Sequence, residues 1–246
     1  MTTLAVIPAR FGSTRLPGKA LLEIGGMPLV VRVLRQVQRC RSVDRVLVAV
    51  DDERIASVVD AWGGEALMTP RDLKSGGDRV AHVARSFPEA EIVLNVQVDD
   101  PLVGPDMVDP LVAALTERPD VRLALLVKEI ERAEEIDNPN IVKAVFSPAG
   151  EALYFSRSPI PYSRNEGGRW YKHIGPYAYR RDLLLAFSDL PQTPLEKTES
   201  LEMLRLLEGG ETILVVPVGR DTIEIDTADD VAALERYLTE KGDDLR

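Results

Sequence analysis

The stretch "RVLVAVDDERIASVVDAWGGEALMT", residues 45–69, decides the fold. Its first six residues form a continuous run of strand length, and Asp51 and Asp52 close it. "ERIASVVDAW" then has helical spacing, and "EALMT" begins another strand. The alternation extends both ways from there. Upstream, "LAVIP" reads as a first strand, and "MPLVVRVLRQVQRC" is a helix with Leu29, Val30, Val33, Leu34 and Val37 on its apolar face. Downstream come the helix "DRVAHVARSF", a fourth strand "EIVLNVQ" ending in "VDDP", and the helix "DMVDPLVAALTE". Apolar strands that are each followed by a helix belong to a parallel sheet covered on both faces. Ligands of such sheets sit beyond the carboxyl ends of the strands. The loop from Arg10 to Lys19 and the segment "QVDDP" therefore share one rim.

After residue 120 the pattern changes. "LALLVK", "IVKAVF", "ALYFS" and "IGPYAYR" read as strands of a mixed or antiparallel insertion, with "SRNEGGRW" (163–170) as its most exposed segment. Helices return with "RDLLLAF" and "TESLEMLRLLEGG", the second ended by a glycine pair. A strand "TILVVPV" leads to "EIDTADDVAALERYL", where Thr227 is placed to cap the last helix. The expectation is one α/β domain over 1–246, three-layered α/β/α and Rossmann-like, with a mainly parallel sheet and a strand-rich part at about 121–180.

A net charge of −10 argues against general nucleic-acid binding, yet leaves room for a local basic loop that holds a small anion. No apolar run is long enough to span a membrane, and no targeting segment stands at the start, so a cytosolic location is expected. Cys40, the single cysteine, reads as a small apolar side chain at a helix end. With only His82 and His173 and no cysteine pair, a zinc site is not expected; a bound metal would be Mg²⁺ or Mn²⁺ held by carboxylates.

The loop after the first strand, "IPARFGSTRLPGKAL" (7–21), gathers Arg10, Ser13, Thr14, Arg15 and Lys19, a set suited to an anion. It is not a P-loop. Five residues separate Gly12 from Gly18, Ala20 follows Lys19, and Pro17 removes a backbone donor. A G-x-G-x-x-G dinucleotide fingerprint is absent as well.

This loop resembles the nucleotide-binding signature of the sugar-acid cytidylyltransferases, and most closely that of the 3-deoxy-manno-octulosonate (Kdo) cytidylyltransferase family. Further blocks are similar and in the family's order: "LVAVDDERI", "SGGDRVA", "NVQVDDPLV", "NPNIVKAV", "ALYFSRSPIPY", "KHIGPYAYR", "PLEKTESLEMLRLLEGG" and "IDTADDVAALE". The resemblance runs from residue 3 to about 238. It implies a nucleotidyltransferase fold, a homodimer, and Mg²⁺-dependent transfer of CMP from CTP to the anomeric hydroxyl of Kdo for lipopolysaccharide synthesis. Carried over by motif, Arg10, Ser13, Arg15 and Lys19 would grip the triphosphate, with Ser75 and Asp78 beside the nucleotide. Asp99 and Asp226 would hold Mg²⁺, with Lys19 completing the catalytic set and Asp100 turned elsewhere. Arg79, Gln97, Arg157, His173 and Tyr177, together with Glu199 and Glu202, match positions near the sugar. Arg157 makes chemical sense as the carboxylate partner, since a guanidinium forks onto both oxygens.

Three departures cluster at this expected site. Gly77 replaces the Thr of "SGTDR", Val98 and Asp100 replace residues of "NVQGDEP", and Glu224-Ile225-Asp226 replaces the common "GVD". A β-branched residue at 98 narrows the backbone choices there. These changes leave a related sugar acid, an 8-amino Kdo analogue or sialic acid, as alternative acceptor, and a non-catalytic nucleotide-binding homologue as the other alternative.

Overall fold

The computed structural model describes residues 1–12, 16–243 and 245. Ser13 and Arg15, two of the expected phosphate contacts, and Thr14 lie outside the described residues. The chain divides into two compact units, one of residues 1–109 and 222–246 and the other of residues 110–221.

Unit 1 opens with β1 (Thr3–Ala9), the short pair β2 (Glu23–Ile24) and β3 (Met27–Pro28), and α1 (Leu29–Gln38). It continues with β4 (Arg45–Val50), α2 (Glu53–Ala61), β5 (Ala66–Met68), α3 (Gly76–Arg85), β6 (Ile92–Asn95) and α4 (Pro105–Glu117), within which the boundary between the units falls. Its sheet has the order β6-β1-β4-β5, parallel throughout. All seven residues of β1 are buried, the continuous apolar run of a strand covered on both faces. The five apolar positions read on α1 are fully buried. Asp52 caps α2 by accepting from the Arg54 amide.

Unit 2 contains β7 (Leu123–Glu129), α5 (Ala133–Ile136), β8 (Lys143–Phe146), β9 (Ala152–Ser156), β10 (Tyr171–Arg180), α6 (Arg181–Phe187), α7 (Pro194–Glu199), α8 (Met203–Glu208) and β11 (Ile213–Val218). Here the sheet is mixed. β11 runs parallel to β7, while the β7–β10, β10–β8 and β8–β9 pairs are antiparallel. The register of β10 on β7 shifts between Ile174 and Tyr177, where Gly175-Pro176 interrupts the ladder. The strand-rich part expected at about 121–180 falls inside this unit.

The chain returns to unit 1 with α9 (Ala228–Lys241), and Thr227 caps it in a reciprocal box with Asp230. One expected helix is broken. The run from Thr198 to Gly210 splits at Ser200, a non-glycine residue in the left-handed region at φ 55°, which ends α7 before α8 begins. No helix among the described residues is long and apolar enough to cross a membrane.

Candidate active site

In unit 1 three loops converge. Past β1, the Phe11 amide donates to Asp51 and the Arg54 guanidinium stacks on the Phe11 ring at 3.5 Å. The loop closes where the Gly18 amide donates to the Phe11 carbonyl, and Gly18 takes φ +70°, a conformation that glycine adopts freely. Lys19 follows at once, only 8% exposed, on the buried turn Lys19–Leu21.

The apolar packing of this unit brings two distant loops to that lysine. Leu102 and Ile225 share a buried cluster with Ile24, Leu29 and Leu234, and the Ile225 amide donates to the Asp99 carbonyl at 2.8 Å. Burying Ile225 fixes its neighbour Asp226, whose amide donates to Asp230 at the start of α9. The Lys19 ammonium then bridges the two carboxylates, at 2.7 Å from Asp99 Oδ2 and 3.2 Å from Asp226 Oδ1. Asp99 and Asp226 are half-buried, about a quarter exposed each, and remain accessible.

Two carboxylates converging on one cation suit a hard divalent ion. Mg²⁺ is characteristically held by one or two carboxylates, with phosphate oxygens and water filling the rest of its shell. Among the described residues no cluster of three or more His, Cys, Asp or Glu side chains could hold a metal ion. Asp100 is turned away: it is buried and accepts from the Thr222 hydroxyl. Burial pushes its carboxyl up to about 7, and the charges of Glu224 and Asp99 add to the rise, against the Thr222 bond.

Arg79 alone reads as a helix-surface cation; instead it is fully buried in the first turn of α3. It donates to the Thr69 hydroxyl and reaches Asp51 at 3.5 Å. Burial lowers its pKa, and the nearby Arg10 charge lowers it further against the pull of Asp51. Arg10 Nη2 and Arg79 Nε are both buried without a hydrogen-bond partner among the described residues. Two guanidinium groups thus lie beside one strand end, with Asp51 against one of them. Ser75 and Asp78 make the capping box of α3, each accepting from the other's amide at 3.0 Å. Gln97 donates to Asn95 at 3.2 Å, and its Oε1 would lie 3.7 Å from a Cβ placed on Gly76. Val98 is buried.

In unit 2, Arg157 follows β9 and donates through Nε to the Glu199 carbonyl (2.7 Å) and through Nη1 to the Pro139 carbonyl (2.9 Å). A longer contact, 3.4 Å, runs from Nη2 to the Ser200 carbonyl. Both Glu199 oxygens are engaged nearby, one accepting from the Ser156 hydroxyl at 2.6 Å and the other from the Arg157 amide at 3.0 Å. His173 and Tyr177 meet across the β10 irregularity, with His173 Nε2 2.9 Å from the Tyr177 oxygen and Nδ1 3.2 Å from the Leu126 carbonyl. Since a carbonyl only accepts, Nδ1 carries the proton and Nε2 accepts from the phenol. Burial holds the His173 pKa down at about 4, so the ring is neutral near pH 7. Glu202 is exposed, and its charge adds to the burial that raises the Tyr179 phenol.

Comparison with known proteins follows the same lines. Residues 4–213 match the family model described as Cytidylyltransferase. The chain is 46% identical to the 3-deoxy-manno-octulosonate cytidylyltransferase of Geobacter sulfurreducens, over 97% of this chain and 98% of that one. It is 44% identical to the enzyme of the same name from Chloroherpeton thalassium, over 98% and 99%. Among solved structures, a CMP:2-keto-3-deoxy-manno-octonic acid synthetase complexed with CTP superposes with a TM-score of 0.94 at 41% identity, covering 98% of this chain and 100% of that one. A 4-diphosphocytidyl-2C-methyl-D-erythritol synthase from Anaerococcus prevotii, at 15% identity and a TM-score of 0.67 over 97% and 98%, shares the fold. The chain belongs to the cytidylyltransferase family, within its 3-deoxy-manno-octulosonate branch.

Proposed function

We propose that this protein transfers CMP from CTP to the anomeric hydroxyl of Kdo, releasing pyrophosphate, as a Mg²⁺-dependent enzyme. The observation that carries the proposal is the meeting of Asp99 and Asp226 on the Lys19 ammonium, three residues from separate loops on one charged centre. In-line displacement at a phosphorus asks for positioning and charge neutralisation more than for covalent participation. Asp99 and Asp226 would hold Mg²⁺, which when bound neutralises the α-phosphate and lowers the pKa of the attacking hydroxyl. Lys19 balances the two carboxylates and offers its ammonium to a phosphate oxygen. Arg10, at the end of β1, adds a cation for the nucleotide at the same rim, with the fully buried Arg79 behind it.

Arg157 holds the sugar carboxylate. Its three bonds to carbonyls leave two of five N–H groups, one on each Nη, for both carboxylate oxygens. Tyr177, whose phenol donates to His173, stands on the same strand as a further contact for the sugar. A cytoplasmic homodimer without nucleic-acid or membrane partners belongs to the same reading.

The test is pyrophosphate release from CTP, Mg²⁺ and Kdo by the purified protein, beside 8-amino-Kdo and sialic acid. Release with Kdo preferred over the other acceptors is expected. Release with none of the three overturns the proposal, and preference for another acid reassigns the acceptor.

A further inference from the structure

Lys143 is a fully buried lysine on β8 that the active-site reading leaves without a task. Its ammonium has three protons, and three backbone carbonyls surround it: Asn138 at 2.9 Å, Ile141 at 2.7 Å and Arg157 at 2.6 Å. Every donor is used, on neutral acceptors. Burial lowers the Lys143 pKa; the carboxylates of Asp137 and Glu199 favour the ammonium, and the Arg157 charge opposes it.

These carbonyls are not scattered. Asn138 and Ile141 flank Pro139, whose own carbonyl receives the Arg157 side chain. The third belongs to Arg157 itself. A closed ring results, in which Lys143 grips the loop 138–141 and the Arg157 backbone, and that loop grips the Arg157 guanidinium. Glu199 adds to it. Its carboxylate takes the Arg157 amide and the Ser156 hydroxyl, while its carbonyl takes Arg157 Nε. The left-handed turn at Ser200 ends α7 there, and Ser200 supplies a further carbonyl to the guanidinium.

Burying an ammonium away from any tight counter-ion costs free energy, and a methionine or leucine would pack an apolar strand with no such cost. The unspent role is geometric. We infer that Lys143 is a positioning residue for the Arg157 side chain, setting the fork that receives the sugar carboxylate, and that it acts with Glu199 through the loop 138–141. The role assigned to Arg157 rests on the function proposed above; the positioning itself rests on the ring of bonds.

The experiment pairs kinetics with a probe that needs no turnover. In Lys143→Met, which keeps the length and removes all three donors, KM for Kdo is expected to rise about tenfold while KM for CTP stays within about twofold. In protein carrying ¹⁵N-arginine, the Arg157 Nε–H signal, assigned by its loss in Arg157→Lys, should exchange slowly with solvent in the parent and at least about tenfold faster in the variant. Lys143→Gln, which keeps two donors, should fall between, and it replaces Lys143→Met if that variant does not fold. Unchanged exchange in a folded variant overturns the inference, as does a parallel rise of both KM values. Faster exchange in a protein that shows no turnover with any acceptor retains the positioning and removes the proposed function.

Discussion

Lys19 in unit 1 and the Lys143–Arg157 pair in unit 2 meet their partners in opposite ways. In unit 1 the site residues answer one another: Lys19 reaches carboxylates 80 and 207 positions away. In unit 2 one pair of cations answers the backbone: Lys143 and Arg157 between them bond six carbonyl contacts, at Asn138, Ile141, Arg157, Pro139, Glu199 and Ser200. A lysine held by two side-chain carboxylates can exchange those partners for phosphate oxygens when substrate arrives. A guanidinium held by carbonyls keeps its orientation and offers only the donors left over. On the proposed function, charge that is redistributed during the reaction is held by side chains, and charge that recognises a fixed group is held by the main chain.

The sharpest way to break this contrast is to remove the exchangeable charge. Lys19→Met is expected to lower kcat for pyrophosphate release by about a thousandfold, the scale of losing a donor aimed at developing charge. Urea unfolding should stay cooperative, because the substitution leaves the apolar cluster around Ile225 intact. A variant with near-parent turnover would remove Lys19 from the chemistry.

Removing the fixed fork should cost less. Arg157→Lys keeps the charge and loses the planar pair of donors, so KM for Kdo should rise about ten- to a hundredfold with CTP binding nearly unchanged. Loss of CTP affinity in proportion would mean that Arg157 serves the fold and not the acceptor.

Acid probes the His173–Tyr177 pair on β10. The folded His173 pKa of about 4 lies below its ordinary value of 6.5, so the native state favours the neutral ring. Its contribution is complete above about pH 6.5 and is lost as pH falls toward 4, on the order of 2–3 kcal/mol at the limit. Urea midpoints measured from pH 7 to 4 should fall more steeply for the parent than for His173→Gln. Parallel slopes would contradict the burial of a neutral imidazole.

The smallest effect is expected at Ser200. Glycine there relieves the left-handed backbone and adds freedom to the unfolded chain, so Ser200→Gly should change stability by no more than about 1 kcal/mol. A β-branched Ser200→Val should cost clearly more. Equal stability of the two variants would show that the turn between α7 and α8 is not fixed as described.

Much of this architecture was legible because it obeys local rules. The apolar period of residues 29–37 maps onto the buried face of α1, and the Thr227 cap stands where hydroxyl chemistry put it. Burial of Cys40 also follows from its place at the end of α1, with its thiol pushed up to about 12. What local rules miss is set by tertiary contact. Ser75-x-x-Asp78 has the spacing of a capping box, and the structure forms it at the start of α3. Arg79 has the spacing of a surface cation; only Thr69 and Asp51, brought in by neighbouring strands, make its burial tolerable. The break at Ser200 overrides a continuous helical period from Thr198 onward. Lys143 gave no signal beyond a lysine inside an apolar run. That Asp99 and Asp226 meet depends on the Leu102–Ile225 packing, which no spacing reveals.

The central claim is that Asp99, Asp226 and Lys19 act as one unit, and a double-mutant cycle tests it most directly. Pyrophosphate release from CTP and Kdo should be measured for Asp99→Asn, Asp226→Asn and the pair combined, at saturating Mg²⁺. If both carboxylates serve one centre, the double variant should be no more than about threefold slower than the slower single variant. Losses that multiply would mean that the two aspartates work independently, contradicting the shared site.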